Sequence, residues 1–175
     1  MAKASTKAPP KPIDAISLLK ADHRAVDGLF EEFDKARRSD TKARLVEQIC
    51  NELKIHTIIE EEIFYPAVRP KIDADIVDEG VVEHDGAKVL INDLVAAKPT
   101  DPYYDAKVKV LSEEIRHHVQ EEEKWLRGMF SQASHTDLDM DKLGAELATR
   151  KAELKALADA GKLPQAKMSA VKVKG

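Results

Sequence analysis

Four long segments of the chain carry apolar residues at alternating steps of three and four positions. The first segment shows Ile16, Leu19, Val26, Phe30 and Phe33, with Asp14 as the expected helix N-cap. This spacing places the apolar side chains on one face of an amphipathic α-helix that ends before Ser39. The same pattern predicts helices over residues 42–66, 74–97 and 102–131, and a fifth over 139–160. Prolines fall at or between the ends of these segments, as long helices require.

Four long helices with short connections predict an all-α fold, namely an up-down-up-down four-helix bundle over residues 13–134. The fifth helix, within residues 135–161, is expected to pack outside the bundle or to serve as an interaction surface. Residues 1–12, rich in lysine, alanine and proline, predict a disordered lead. The lysine-containing residues 162–175 predict a flexible basic tail.

A histidine interrupts the apolar face of each of the four bundle helices. These residues are His23, His56, His84 and His118, and the second and fourth begin His-x-x-x-Glu motifs that end at Glu60 and Glu122. A shift of 62 positions superimposes the motif of the second helix on that of the fourth. The chain therefore reads as two copies of a helical hairpin. The helix lengths place all four histidines near one level of the bundle.

Six polar side chains at one level of a core predict a metal site. A lone histidine on an apolar face is usually a hydrogen-bonded core residue, but buried carboxylates need a cationic partner. Imidazole and carboxylate ligands without a thiolate suit iron, manganese or zinc, and six side chains exceed the needs of one tetrahedral zinc. Two octahedral ions sharing both carboxylates would leave positions open for a small ligand.

At these residues the sequence resembles the hemerythrin family, specifically the bacterial HHE cation-binding domains. The pattern H…HxxxE…H…HxxxE runs from His23 to Glu122, and the similarity includes Glu-Glu-Glu-Ile-Phe-Tyr-Pro at residues 60–66. The resemblance implies two non-haem iron ions joined by an oxo or hydroxo bridge. It implies that the four histidines are terminal ligands and that Glu60 and Glu122 bridge the ions. It also implies a small diatomic ligand or peroxide as the partner.

Two positions depart from the oxygen-carrying hemerythrins. Those proteins have a second histidine one turn after the third-helix histidine, where this chain has Lys88. Their last carboxylate stands five residues after its histidine, whereas this chain offers Glu122 at four and Glu123 at five. We prefer Glu122 because it repeats the first motif and lies on the apolar stripe. Loss of a nitrogen ligand favours reaction with peroxide, nitric oxide or oxygen, or iron-dependent sensing, over simple oxygen carriage.

The remaining candidate residues have simpler interpretations. The glutamates beside the motifs and His117 and His135 are expected to be solvated, with a supporting role for one glutamate as the alternative. The glutamates concerned are Glu61, Glu62, Glu121 and Glu123. Trp125 and the phenylalanines are expected in the core, Tyr65 is expected to pack or to donate a hydrogen bond to a bound ligand, and Cys50 is expected to be a small buried hydrophobe.

Composition limits the function classes without choosing among them. The net charge of −4 gives no basic face for nucleic acid, and no apolar run is long enough for a membrane span. One cysteine and no apolar leader predict a cytoplasmic protein. The sequence leaves open a binding, sensing or iron-storage protein, a peroxide-removing di-iron enzyme, and delivery of iron for iron–sulfur repair. It also leaves open the oligomeric state and the metal present in practice.

Overall fold

The computed structural model describes residues 13–172, so the predicted lead at 1–12 and the last three tail residues lie outside the described part. The elements in chain order are α1 (Ala15–Lys35), α2 (Ser39–Ile59), a π-helical turn (Glu60–Phe64), α3 (Tyr65–Val68), α4 (Ala74–Ala96), α5 (Tyr104–Glu123), α6 (Met129–Ser134) and α7 (Met140–Asp159). No β-strand occurs in the described residues.

Four of these helices form the bundle. Helix α1 packs against α2 and α5, and α4 packs against the same two neighbours, which is the arrangement of an up-down-up-down bundle. The predicted fold is therefore confirmed. Helix α7 packs outside the bundle against α1, α2 and the π-helical turn. Within residues 13–172, no helix has the length and apolar content that a membrane crossing needs.

Aspartate side chains cap three of the helices, α1, α4 and α7. The carboxylate of Asp14 accepts a hydrogen bond from the backbone N–H of Ser17 at 2.9 Å, as the sequence predicted for the start of α1. Asp73 and Asp139 cap α4 and α7 in the same way. Helix α2 begins at Ser39, three residues earlier than predicted, and its first turn has no side-chain cap.

The apolar core consists of two clusters with a polar layer between them. One cluster contains Phe30, Leu53, Ile91, Leu111 and Ile115. The other contains Leu19, Ile59, Phe64, Met129 and Leu147. On α1, α2 and α4 the sequence passes from one cluster to the other near a buried histidine, and after His118 of α5 the chain reaches the second cluster at Met129 of α6. The four histidines therefore lie at a common level of the bundle, as the helix lengths predicted.

The fourth predicted helix does not continue to residue 131. It ends at Glu123, and Lys124 adopts extended backbone, so the chain turns before α6 begins at Met129. Gly128 permits the turn, because a Cβ there would lie 2.5 Å from the carbonyl oxygen of Lys124. As a result Trp125 and Leu126 are 81% and 82% exposed, and the expectation that Trp125 belongs to the core is wrong.

The segment after α7 lies against the bundle. The amide of Asn92 donates to the carbonyl of Ala166, which is buried. Three successive backbone N–H groups, those of Ser169, Ala170 and Val171, donate to the carboxylate of Asp85 at 2.7–3.0 Å. Residues 162–172 thus make hydrogen bonds to the bundle that their composition did not predict, and the flexible tail at 162–175 stays a prediction.

Candidate metal centre

The polar layer brings together all six residues singled out from the sequence. These are His23, His56, Glu60, His84, His118 and Glu122, and every one of them is buried. They form two groups whose potential ligand atoms lie within 4.8 Å of one another: His23, His56, Glu60 and Glu122 in one group, and Glu60, His84 and His118 in the other. Glu60 belongs to both groups, so its carboxylate could serve as a ligand in each of them.

The histidines face each other in pairs, and each pair is flanked by the glutamates. The Nε2 atoms of His23 and His56 are 3.1 Å apart, and those of His84 and His118 are also 3.1 Å apart. Glu60 Oε2 lies 3.1 Å from His56 Nε2 and 3.3 Å from His84 Nε2. Glu122 Oε2 lies 3.3 Å from the Nε2 atom of His23 and 3.6 Å from that of His118. Each glutamate therefore touches one histidine of each pair.

A carboxylate outside the layer faces the Nδ1 atom of every histidine, and we call these four the outer carboxylates. Glu123 accepts from His23 at 2.8 Å, Glu61 from His84 at 2.9 Å, and Glu83 from His118 at 2.8 Å. Asp22 lies 3.7 Å from Nδ1 of His56. A carboxylate at Nδ1 favours the neutral tautomer with its proton there, which leaves the lone pair of Nε2 for a cation at the centre.

The outer carboxylates follow the same internal repeat as the ligands. Asp22 and Glu83 each precede a histidine, and Glu61 and Glu123 each follow a motif glutamate. Asp22 and Glu83 face a histidine of their own hairpin, whereas Glu61 and Glu123 cross to a histidine of the other hairpin. The expectation of solvated charge is therefore wrong for Glu61 and Glu123. Sequence reasoning missed Asp22 and Glu83, although the repeat could have found them.

The buried polar atoms at the centre fit a cation. At this Nε2–Nε2 distance of 3.1 Å, two neutral imidazoles with their protons on Nδ1 would direct lone pairs at each other, a repulsion that a cation between them removes. Neither carboxylate oxygen of Glu60, a residue with no solvent exposure, has a hydrogen-bond donor among the described residues, and the same holds for Oε2 of Glu122. A buried carboxylate in this state is costly unless a positive charge compensates it.

The electrostatic field at the centre also favours positive charge. Burial opposes the charged form of His56, but the carboxylates of Glu60 and Asp22 outweigh burial and raise its pKa to about 10. Burial likewise opposes protonation of His84, yet Glu60 and Glu61 raise its pKa above the ordinary value. Burial would raise the pKa of Glu60, but His56 and His84 hold it well below its usual range. A cation entering the centre competes with these protons.

Basic side chains in turn neutralise the outer carboxylates. Lys88, at the position where the oxygen-carrying hemerythrins have a histidine, is buried. Its ammonium group donates to Glu61 at 2.6 Å and to Asp85 at 3.1 Å.

The other outer carboxylates also have partners. Arg24 donates to Glu123, and Lys151 of α7 pairs with Asp22. Exposed His117 lies 3.4 Å from Glu83, and Ser169 Oγ donates to Glu61 at 2.6 Å. Helix α7 and the segment after it therefore touch the surroundings of the centre.

The π-helical turn that follows α2 determines the directions in which the side chains of Glu60, Glu61 and Tyr65 point. The N–H of Tyr65 donates to the carbonyl of Glu60, five residues back, so this turn holds one residue more than an α-helical turn. Tyr65 consequently faces the centre, where its hydroxyl donates to Glu122 Oε1 at 3.0 Å and lies 3.4 Å from His84 Nε2. Gly80 makes room, since a Cβ there would lie 3.0 Å from that hydroxyl.

Different aromatic rings cover the two halves of the centre. Tyr65 stacks on His84 with ring centroids 5.4 Å apart, and Phe130 of α6 stacks on His23 at 5.7 Å. Burial and the carboxylates of Glu122 and Glu60 hold the pKa of Tyr65 well above its usual value, so its hydroxyl keeps its proton. The half at His84 and His118 therefore has a proton donor, and the half at His23 and His56 has a hydrocarbon ring.

Comparison with known proteins establishes the family. The profile described as Hemerythrin HHE cation binding domain matches residues 14–130, a stretch that holds all six converging residues. The chain belongs to this family. The crystal structure of a hemerythrin HHE cation-binding domain-containing protein from Mycobacterium kansasii is similar to this HHE domain, with a TM-score of 0.69 and 22% sequence identity. The similarity covers 82% of this chain and 88% of that one and shows a shared fold.

One relative has a different kind of name. A protein of Nostoc sp. (strain PCC 7120 / SAG 25.82 / UTEX 2576), named DNA nickase, is 28% identical over 109 residues. The match covers 62% of this chain and 31% of that protein, so the chain spans about a third of the length of this relative. The nicking activity is that of the larger protein, and the expectation that this HHE domain does not bind nucleic acid stays a prediction.

Proposed function

We propose that this HHE domain is a non-haem di-iron protein that binds or reacts with dioxygen, peroxide or nitric oxide. The observation that carries the proposal is the pair of facing Nε2 atoms on each side of the two buried glutamates. His23 and His56 would hold one iron, and His84 and His118 the other. Glu60 and Glu122 would bridge the two, because each contacts both histidine pairs. Iron accepts this donor set and retains positions for a small ligand.

The space at the centre supports a small ligand. The cavity between the histidine pairs has a volume of about 10 Å³, close to the room that one water molecule needs. Besides the four histidines, Asp22 and Thr57, its lining has an apolar side formed by Val26, Leu53, Ile115 and Val119. A space of this size has no room for an organic substrate, so it restricts the proposed ligand to a molecule of very few atoms. Bound iron would supply Lewis acidity and redox chemistry there, and the apolar side would limit the entry of water.

Tyr65 provides the observation that favours a peroxide-removing enzyme over a carrier. Its hydroxyl keeps a proton 3.0 Å from Glu122 and 3.4 Å from His84. Cleavage of the O–O bond of peroxide requires a proton donor beside the oxygen atoms. Lys88 also favours an enzyme over an oxygen carrier, because its ammonium group binds Glu61 and is not a nitrogen ligand. Sensing, iron storage and iron delivery are the alternative functions for the same centre.

Metal analysis tests the ligand assignment. The purified protein is expected to hold about two irons per chain, and Glu60→Ala and His118→Ala are each expected to lower this content because they remove a ligand. Glu62→Ala and His135→Ala are matched controls, since both residues are exposed and stand outside the centre. Undiminished iron in both ligand variants, or stoichiometric zinc alone, would contradict the proposal.

Mixing experiments separate the possible functions. The reduced protein is mixed in turn with oxygen, peroxide and nitric oxide, and its absorption spectrum and the consumption of peroxide are followed. Catalytic peroxide loss identifies an enzyme, a reversible oxygen adduct identifies a carrier, and a stable nitrosyl identifies a sensor. The absence of any spectral change with all three would exclude the proposed chemistry. The cytoplasmic setting is a separate proposal, which cell fractionation checks.

A further inference from the structure

A second cavity lies away from the metal centre, between α2, the end of α4 and the segment after α7. Its volume is about 360 Å³, and its walls include Val46, Cys50, Leu94, Tyr104 and Leu163. Along α2 the lining runs from Ala43 to Lys54, a length of roughly 16 Å at 1.5 Å per residue. The cavity is therefore long, is lined by polar as well as apolar groups, and is covered in part by residues beyond the family match.

Lys54 is the unusual residue of this cavity. It is only 6% exposed, and its ammonium group has no hydrogen-bond acceptor or carboxylate partner among residues 13–172. The stem of Lys54 is covered by the wall, whereas its ammonium group is not among the fully buried atoms without a partner and so reaches the open space of the cavity. An anion in the cavity would supply the missing partner.

The other polar groups of the lining define the orientation of that anion. Glu47 is exposed at the opposite end of the α2 stripe, two turns from Lys54, and repels negative charge there. Cys50 lies between them, and burial raises the pKa of its thiol to about 12, so it stays neutral. Along the part of α2 that lines the cavity, Lys54 is positive, Cys50 is neutral and Glu47 is negative.

We propose that this cavity binds a medium-chain organic carboxylate, with the carboxylate at Lys54 and the hydrocarbon chain against Val46, Leu94 and Leu163. A neutral apolar molecule would cover the ammonium group of Lys54 and leave it without a partner. An inorganic anion would leave the apolar walls uncovered. A cation would meet Lys54 directly. Only a ligand with one anionic end and an apolar body satisfies both parts of the lining.

Titration of the iron-loaded full chain with carboxyl-labelled octanoate, followed by ¹³C NMR and calorimetry, tests the proposal. Wild type is expected to bind one octanoate per chain. Lys54→Met keeps the length of the side chain and removes its charge, so it is expected to weaken binding by about tenfold or more. Lys109→Met is the matched control, because that side chain is 75% exposed on α5 and outside the cavity. It is expected to bind octanoate as wild type does.

Two further measurements keep a folding defect distinct from a binding defect. Lys54→Met keeps the covered part of the side chain and removes a charge that no carboxylate pairs, so the ligand-free variant is expected to unfold at a temperature no lower than that of wild type. Ala43→Leu narrows the cavity and is expected to abolish octanoate binding while iron content is retained. No octanoate binding to wild type, equal binding to Lys54→Met, or equally tight binding of octanol or inorganic phosphate would overturn the proposal.

Discussion

Each histidine of the centre has two nitrogen atoms with separate roles. The Nδ1 atom donates to or faces an outer carboxylate, and the Nε2 atom faces the interior. The outer carboxylate fixes both the tautomer and the ring orientation, so it determines whether the histidine can be a ligand at all. The centre is therefore built from histidine–carboxylate pairs. A histidine that lacks its outer carboxylate is expected to bind metal less tightly, because its tautomer and ring orientation are no longer fixed.

Glu61→Gln tests this dependence at His84. The amide can no longer act as a charged acceptor for Nδ1, and the Lys88 ammonium group loses its closest partner. We expect iron affinity to fall about 10- to 100-fold, which competition with a chelator measures. Glu62→Gln, on the next residue, is the control because its carboxylate faces Arg150 on the outside. Equal affinities in the two variants would show that Glu61 does not position His84.

Tyr65→Phe tests the asymmetry between the two halves. The variant keeps the ring that stacks on His84 and removes the hydroxyl that donates to Glu122. We expect unchanged iron content and up to about tenfold faster release of nitric oxide, since one hydrogen bond near the ligand is lost. Stopped-flow absorbance measures the release, and Tyr103→Phe, an exposed tyrosine, is the control. An unaltered release rate would place the ligand away from Tyr65.

At the scale of elements, periodicity predicted the helices, whereas the breaks within them depend on tertiary packing. The apolar steps of α1 and the cap at Asp14 agree with the structure because they are local properties. The π-helical turn after Ile59 and the end of α5 at Glu123 have no local signal of that strength, and the apolar pattern continues through both. These two irregularities place Tyr65 and Phe130 over the histidines, so the parts missed by periodicity lie beside the centre.

Substitution at the α5–α6 turn tests the importance of that irregularity. A Cβ at Gly128 would lie 2.5–2.6 Å from backbone atoms of Glu122 and Lys124, so Gly128→Ala must displace the turn. We expect a loss of about 1–3 kcal/mol in the free energy of unfolding, measured by denaturant titration. Gly28→Ala is the control, because nothing lies within 4 Å of its Cβ and alanine favours the helix. A Gly128→Ala variant as stable as wild type would show that the turn can relax.

At the scale of the whole molecule, the candidate ligands could be predicted from sequence because the internal repeat aligns them. The outer groups on α7 and on residues 162–172 could not, since they depend on how segments distant in sequence pack together. Lys151 reaches Asp22 from α7, and Ser169 reaches Glu61 from the final segment. Composition described the final segment as a basic tail, but the hydrogen bonds to Asp85 depend on a partner 84 to 86 residues away.

Acid is expected to release the metal from the folded bundle. Imidazoles must be neutral and carboxylates ionised to act as ligands, so binding displaces protons and affinity rises with pH. The neighbouring carboxylates raise the pKa of His56 to about 10, which strengthens proton competition. We expect iron per chain to decrease as the protein is dialysed at pH 7, 5.5 and 4, while circular dichroism follows the helices. Full retention of iron at pH 4 would contradict a histidine-ligated centre.

The crossing of outer carboxylates between hairpins has a kinetic consequence. His23 and Glu123 are 100 residues apart in the sequence, and His84 with Glu61 links the hairpins a second time. A cation held at this layer therefore closes a long loop, as a covalent cross-link would, and its escape requires the two hairpins to part. The rate of metal exchange should then reach a ceiling that no excess of chelator can raise. That ceiling would equal the opening rate of the bundle, which amide hydrogen exchange at His56 and His118 reports independently.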